Sequence, residues 1–208
     1  MSDQAGKKYR CVLFFGAPGT GKGTQGGMLG RIPGFYHLGM GDIFRSIYRK
    51  SEVGQEVHSY VSKGQLVPDD LTIRIWKESL AARITLGHYQ PWEQLLLLDG
   101  LPRNVEQAEL TKNDLEVLKV IHLDCADEEG MIRRIRTRAI EEQRVDDADE
   151  EIIRRRFGIY RDISSPVLNY YPSDTIARVE AMGTPSEVLR RILDVIIPAQ
   201  NYCLENPW

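Results

Sequence analysis

Cysteine is scarce in this chain: Cys11, Cys125 and Cys203 are too few and too widely spaced for a disulfide framework or a zinc ribbon. Their odd number points to a reduced compartment, and those in strand-like runs, Cys11 and Cys125, read as buried apolar residues. Histidine is nearly as rare. His37, His58, His88 and His122 have no partner spacing for a metal or a triad, so no chemistry is assigned to them. No apolar run approaches the ~18 residues that a membrane span needs. The opening MSDQAGKKYR lacks a secretory core, so a cytoplasmic protein without a membrane partner is expected. Charge of one sign is not in large excess either. A net charge of −3 excludes a whole-protein nucleic-acid footprint, so any anion must be bound locally by clustered Arg and Lys.

What is present fits a globular protein of ordinary size. Of the 208 residues, 42% are hydrophobic and 27% charged, enough apolar material for a sizeable core. Strand-like and helical pieces alternate, which means α/β with a largely parallel sheet. Strands are expected at 10–15, 35–38, 94–98, 118–123 and 175–179. The four leucines Leu95–Leu98 read as a strand buried on both faces. Helices are expected at 41–50, 54–63, 68–86, 127–139, 150–171 and 185–196, whereas the tail 198–208 has no clear period. The whole chain, 1–208, reads as one domain with small insertions at about 40–71 and 139–151. Such insertions beside a phosphate site are where lids are found.

The phosphate site itself is legible in FGAPGTGKGTQ, which follows the apolar run Cys11–Phe15. Gly16, four residues, Gly21 and Lys22 give the spacing of a P-loop. Its glycines let backbone N–H groups converge on an anion, the following helix points its positive end there, and lysine adds a point charge. Gly23 stands where a Ser or Thr ligand for Mg²⁺ is usual, and Thr24 comes next. That variant resembles the loop of adenylate kinases and related nucleoside-monophosphate kinases.

Three further segments extend the resemblance, in order, from about Cys11 to Leu193. Asp99-Gly100-Leu101-Pro102-Arg103 with Gln107 resembles the family's DGFPRxxxQA, Leu101 replacing Phe. His37-Leu38-Gly39-Met40-Gly41-Asp42, then Arg45, with Gly64-Gln65-Leu66-Val67-Pro68-Asp69, resembles HxSTGDxxR and GxLVPD, Gly39 and Met40 replacing Ser and Thr. Arg134, Arg138, Arg144, Val145-Asp146-Asp147 and Arg156 resemble RxxxR…GRxDD…R, the short-lid type. The resemblance implies an α/β P-loop kinase with a five-stranded parallel sheet, a monophosphate-binding insertion and a short lid. It implies a catalytic set of Lys22, Arg103, Arg138, Arg144 and Arg156. The ATP-binding residues would be Gly19, Thr20, Gly21, Lys22, Gly23, Thr24, Arg134, Arg138 and Gly183. The AMP-binding residues would be Met40, Arg45, Gln65, Leu66, Val67, Gly100, Leu101, Pro102, Arg103, Gln107, Arg144 and Arg156. Asp99 would hold Mg²⁺ through water, the one cofactor, brought with ATP.

The reaction implied is reversible transfer of the γ-phosphoryl of MgATP to AMP, by a monomer. The Gln107 amide favours AMP because it can pair with the edge of adenine as donor and acceptor. Met40 leaves UMP or CMP open as acceptors. The altered Gly39, Met40 and Leu101, with a glycine-poor lid, leave open a weakly active nucleotide sensor or interaction protein.

Overall fold

A computed structural model describes residues 7–141 and 149–207. Five strands form one parallel sheet: β1 (Tyr9–Gly16), β2 (Phe35–Gly39), β3 (Leu95–Asp99), β4 (Leu115–Asp124) and β5 (Ile176–Glu180), in the order β2-β3-β1-β4-β5. Side chains alternate across this sheet and sort into two cores. Cys11, Leu13, Phe15, Leu96 and Leu98 face one side, Val12, Phe14, Leu95 and Leu97 the other. All four leucines of β3 are at most 1% exposed, because helices cover both faces.

The helices are α1 (Lys22–Leu29), α2 (Met40–Ser46), α3 (Glu52–Val61), α4 (Asp69–Thr85), α5 (Val105–Thr111), α6 (Glu128–Glu141), α7 (Glu150–Ile159) and α8 (Pro185–Glu205). Helix α2 ends at Ser46, four residues short of its expected end, and three others depart further from the sequence expectation. The stretch expected as one helix over 150–171 ends as α-helix at Ile159. It continues as a π turn, Tyr160–Ser164, and a 3₁₀ segment, Ser165–Tyr170, with Pro166 at the junction unable to donate a backbone bond. Helix α5 is too short to show a period and is absent from the sequence reading. It starts at Asn104, whose side chain accepts from Gln107 N. Helix α8 runs nine residues past the expected end at Ile196. Pro198 sits within it on the exposed side, where water can serve the Asp194 carbonyl left without its donor. Thr184 and Glu187 form a reciprocal capping box at its start.

A third apolar cluster joins α6 to α7 through Met131, Ile132, Ile135, Ile153 and Phe157, and Ala17 of the glycine-rich loop packs against it. The three cysteines are free. Cys11 is buried, but Cys125, just past the end of β4, is only half-buried.

Candidate active site

The carboxyl ends of β1, β2 and β3 meet at one edge of the sheet: Phe14 and Gly39 both pair with Asp99, and Gly16 ends β1 beside them. Ligands of open parallel sheets bind at such ends, where the strand order reverses. The loop from Gly16 to Gly21 takes shape because Gly16, Gly19 and Gly21 all adopt positive φ. At Gly19 there is a second requirement. A Cβ there would lie 2.8 Å from the Met131 carbonyl oxygen of α6, so only glycine lets that helix close in. Thr20 turns inward and donates to Ala17 O at 2.9 Å, fastening the loop from within. No side chain caps the start of α1, which leaves its first N–H groups for a ligand.

Lys22 opens α1 and folds its Nζ back over the loop, donating to Gly16 O at 2.7 Å and Ala17 O at 3.0 Å. Desolvation pulls its pKa down to about 8. Asp99 opposes that shift, while Arg103, Arg156 and Arg138 add to it. Burial likewise lowers the pKa of Arg103, with Arg156 and Arg45 adding to the effect and Asp99 opposing it. Cations from β1–α1, α2, the β3–α5 turn, α6 and α7 therefore feel one another across a single space. That space is a cleft of about 290 Å³, lined by Lys22, Arg45, Arg103, Arg138 and Arg156 among others. Mutual repulsion between these groups is unfavourable without an anion, so the arrangement is built for polyanionic ligands.

Along the cleft, Gly19, Gly21, Gly23 and Thr24 line the loop end, with Asp99 beside them. Gln65, Leu66, Val67, Gly100, Pro102 and Gln107 line it as well. Arg45 is held by Asp42 at 2.6 Å. Arg134 donates to Ala181 O at 3.4 Å, which puts it near Gly183; neither is among the lining residues. Met40 and Leu101 turn away into the core, 1% and 2% exposed, so their side chains do not line the cleft. Arg144, with Val145, Asp146 and Asp147, lies outside the described residues.

Several residues in or beside the cleft are not among those the sequence proposes for the site, Asp42, Phe44 and Ile159 among them. Tyr160 and Ser164 line the cleft from the π turn, hidden inside an expected continuous helix. Asp69 receives Gln107 Nε2 at 2.6 Å and Asn104 Nδ2 at 2.9 and 3.0 Å. Its place in GQLVPD is the available signal, which marks the monophosphate-binding segment and not a partner for Gln107.

Residues 14–176 match the family model described as adenylate kinase. The chain belongs to the adenylate kinase family. An adenylate kinase of Thermus thermophilus is 38% identical over 190 residues, 88% of this chain and 95% of that protein. An adenylate kinase of Flavobacterium psychrophilum is 35% identical over 192 residues, 89% and 97% of the two chains. One from Streptomyces avermitilis is 30% identical over 219 residues, 89% and 96%. This adenylate kinase family member is thus a nucleoside-monophosphate kinase, a phosphotransferase. Its parallel five-stranded sheet and P-loop are those of the family fold. Among the described residues, no helix is long and apolar enough to cross a membrane.

Proposed function

We propose that the protein transfers the γ-phosphoryl group of ATP reversibly to AMP, giving two ADP. The observation that carries this reading is the convergence of Lys22, Arg45, Arg103, Arg138 and Arg156 on one cleft that the phosphate loop also lines. ATP would lay its β- and γ-phosphates against the loop and Lys22, whose ammonium would exchange two carbonyl acceptors for phosphate oxygens. The monophosphate would be held by Arg45 and Arg103, with its base toward Gln65–Val67 and Gln107.

In the transfer step a phosphate oxygen of AMP attacks the γ-phosphorus, and the bond to the β–γ bridging oxygen breaks. The electron pair stays on ADP. The acceptor oxygen already carries charge, so no general base is needed. Arg103, Arg138 and Arg156 would stabilise the charge spread over the moving phosphoryl group. The donor set also fits Mg²⁺. Asp99 is a half-buried carboxylate beside the loop, Asp42 lines the same cleft, and among the described residues no cluster of three His, Cys, Asp or Glu surrounds them. Mg²⁺ characteristically uses one or two carboxylates and fills its other positions with water and phosphate oxygens. Asp99 would hold it through water, and the ion would neutralise β- and γ-phosphate charge. Arg144 belongs to this proposal from its place in the sequence alone.

A coupled assay that presents AMP, UMP and CMP separately with MgATP tests the reading. AMP is expected to be used at least tenfold better, in kcat/KM, than either pyrimidine. Preference for UMP or CMP, or ATP binding without transfer to any monophosphate, would overturn it.

A further inference from the structure

Gln107 is 1% exposed yet borders the cleft, and its amide is already half committed. Its Nε2 donates to Asp69 Oδ1 at 2.6 Å, and its Oε1 accepts from Arg103 N at 2.8 Å. An amide has two N–H donors and two acceptor lone pairs, so one of each remains. A free amide can turn over and offer these in either order. This one cannot. A backbone N–H only donates and a carboxylate only accepts, so a flipped Gln107 would set its NH₂ against Arg103 N–H and its oxygen against the Asp69 carboxylate. Asp69 is itself fixed by Asn104, whose Nδ2 reaches both carboxylate oxygens and whose Oδ1 accepts from Gln107 N at 2.7 Å.

We infer that Asp69 is a specificity-determining positioning residue, which locks the Gln107 amide in one orientation so that the cleft accepts a 6-amino purine and rejects a 6-oxo purine. The inference rests on the acceptor reading given above. The edge of adenine offers an amino donor beside a ring acceptor, and the edge of hypoxanthine offers the reverse order. With phosphate and sugar anchored elsewhere in the cleft, a base cannot slide to suit a fixed amide, so only one order pairs. The mismatch leaves a buried donor facing a donor and an acceptor facing an acceptor, the strongest kind of discrimination available to a site of this sort. Asp69 touches no part of the nucleotide in this scheme; it acts only through Gln107.

The test compares AMP with inosine monophosphate, which differ only at the 6-position edge. Wild type, Asp69→Asn and Asp69→Ala are each assayed for kcat/KM with both acceptors at fixed MgATP, with thermal unfolding measured alongside. Wild type is expected to prefer AMP by 100-fold or more. Both variants lift the Asp69 half of the lock while Arg103 N–H still opposes the flip, so the AMP-to-IMP ratio is expected to fall at least threefold, mainly through a lower KM for IMP. A folded variant with an unchanged ratio, or an equal loss with both acceptors, would show that Asp69 serves the fold alone and would overturn the inference. Comparable use of both acceptors by wild type would overturn the lock as well. Absence of AMP turnover in wild type is a different result: it removes the acceptor reading itself.

Discussion

Lys22 is a half-buried cation in the field of three other cations and one carboxylate, an arrangement that favours phosphate binding and works against folding. Its pKa in the folded protein, about 8, lies below the value of a solvated lysine. The unfolded chain therefore holds this proton more tightly, and at neutral pH the ammonium costs stability. Lys22→Met is expected to lower kcat/KM roughly 30- to 900-fold, a loss of about 2–4 kcal/mol in transition-state stabilisation. The same substitution is expected to raise the unfolding temperature, because the desolvated charge is gone. Activity and calorimetry on one preparation check both halves. A fall in unfolding temperature would mean that the bonds to Gly16 and Ala17 outweigh the desolvation. A second consequence concerns protons. Phosphate oxygens raise the Lys22 pKa again, so ATP binding near pH 8 should be accompanied by proton uptake. Titration calorimetry in two buffers of different ionisation enthalpy measures it directly.

Helix α1 is set on the sheet by an unusually close approach. A Cβ at Gly26 would lie 2.3 Å from the His37 ring of β2. Gly26→Ala is expected to destabilise the fold by about 1–3 kcal/mol, the usual penalty for overfilling a packed site. Adding His37→Ala should recover most of that loss in a double-mutant cycle followed by denaturant unfolding. Elements of this kind mark what the sequence could and could not disclose. The strand cores, the P-loop and the order of the motifs were legible because periodicity and glycine spacing are local signals. The His37 notch was not, since nothing near Gly26 in the chain names a histidine eleven residues later. The bend at Tyr160 was missed because an arginine-rich helical pattern runs into it without a break before Pro166. The resemblance puts Met40 and Leu101 beside the ligand, while their apolar side chains are buried in the core. Asp69 was visible as a residue and invisible as a partner of Gln107, thirty-eight positions away.

Across the whole molecule, the distribution of charge matters more than its sum. A net charge of −3 coexists with a cleft that, among the described residues, is lined by five cations, so binding of anionic nucleotides should weaken with ionic strength although the protein is acidic. Acid stability has a whole-molecule signature too. Burial lowers the pKa of His37, with Asp99 and Asp42 opposing. It lowers that of His122, where Asp124 opposes and Arg178 and Lys22 reinforce the shift. Both imidazoles have folded-state pKa values below their unfolded ones. The stability they permit is complete above about pH 6.5 and declines as pH falls below it, because the unfolded state takes up protons first. Unfolding free energy measured between pH 7.5 and 5 should decrease, and His37→Gln should flatten the curve; a wild-type curve that rises toward pH 5 would contradict this origin.

Ala17 gives the phosphate loop a methyl anchor in the cluster that joins α6 to α7. One small side chain thus serves as a common footing for the loop that would grip one nucleotide and the helices that carry Arg138 and Arg156. Those helices cannot swing away without lifting Ala17 from its seat. A change in the Ile135 or Phe157 packing should therefore be felt first as slackness in the grip on triphosphate, well before the sheet itself gives way.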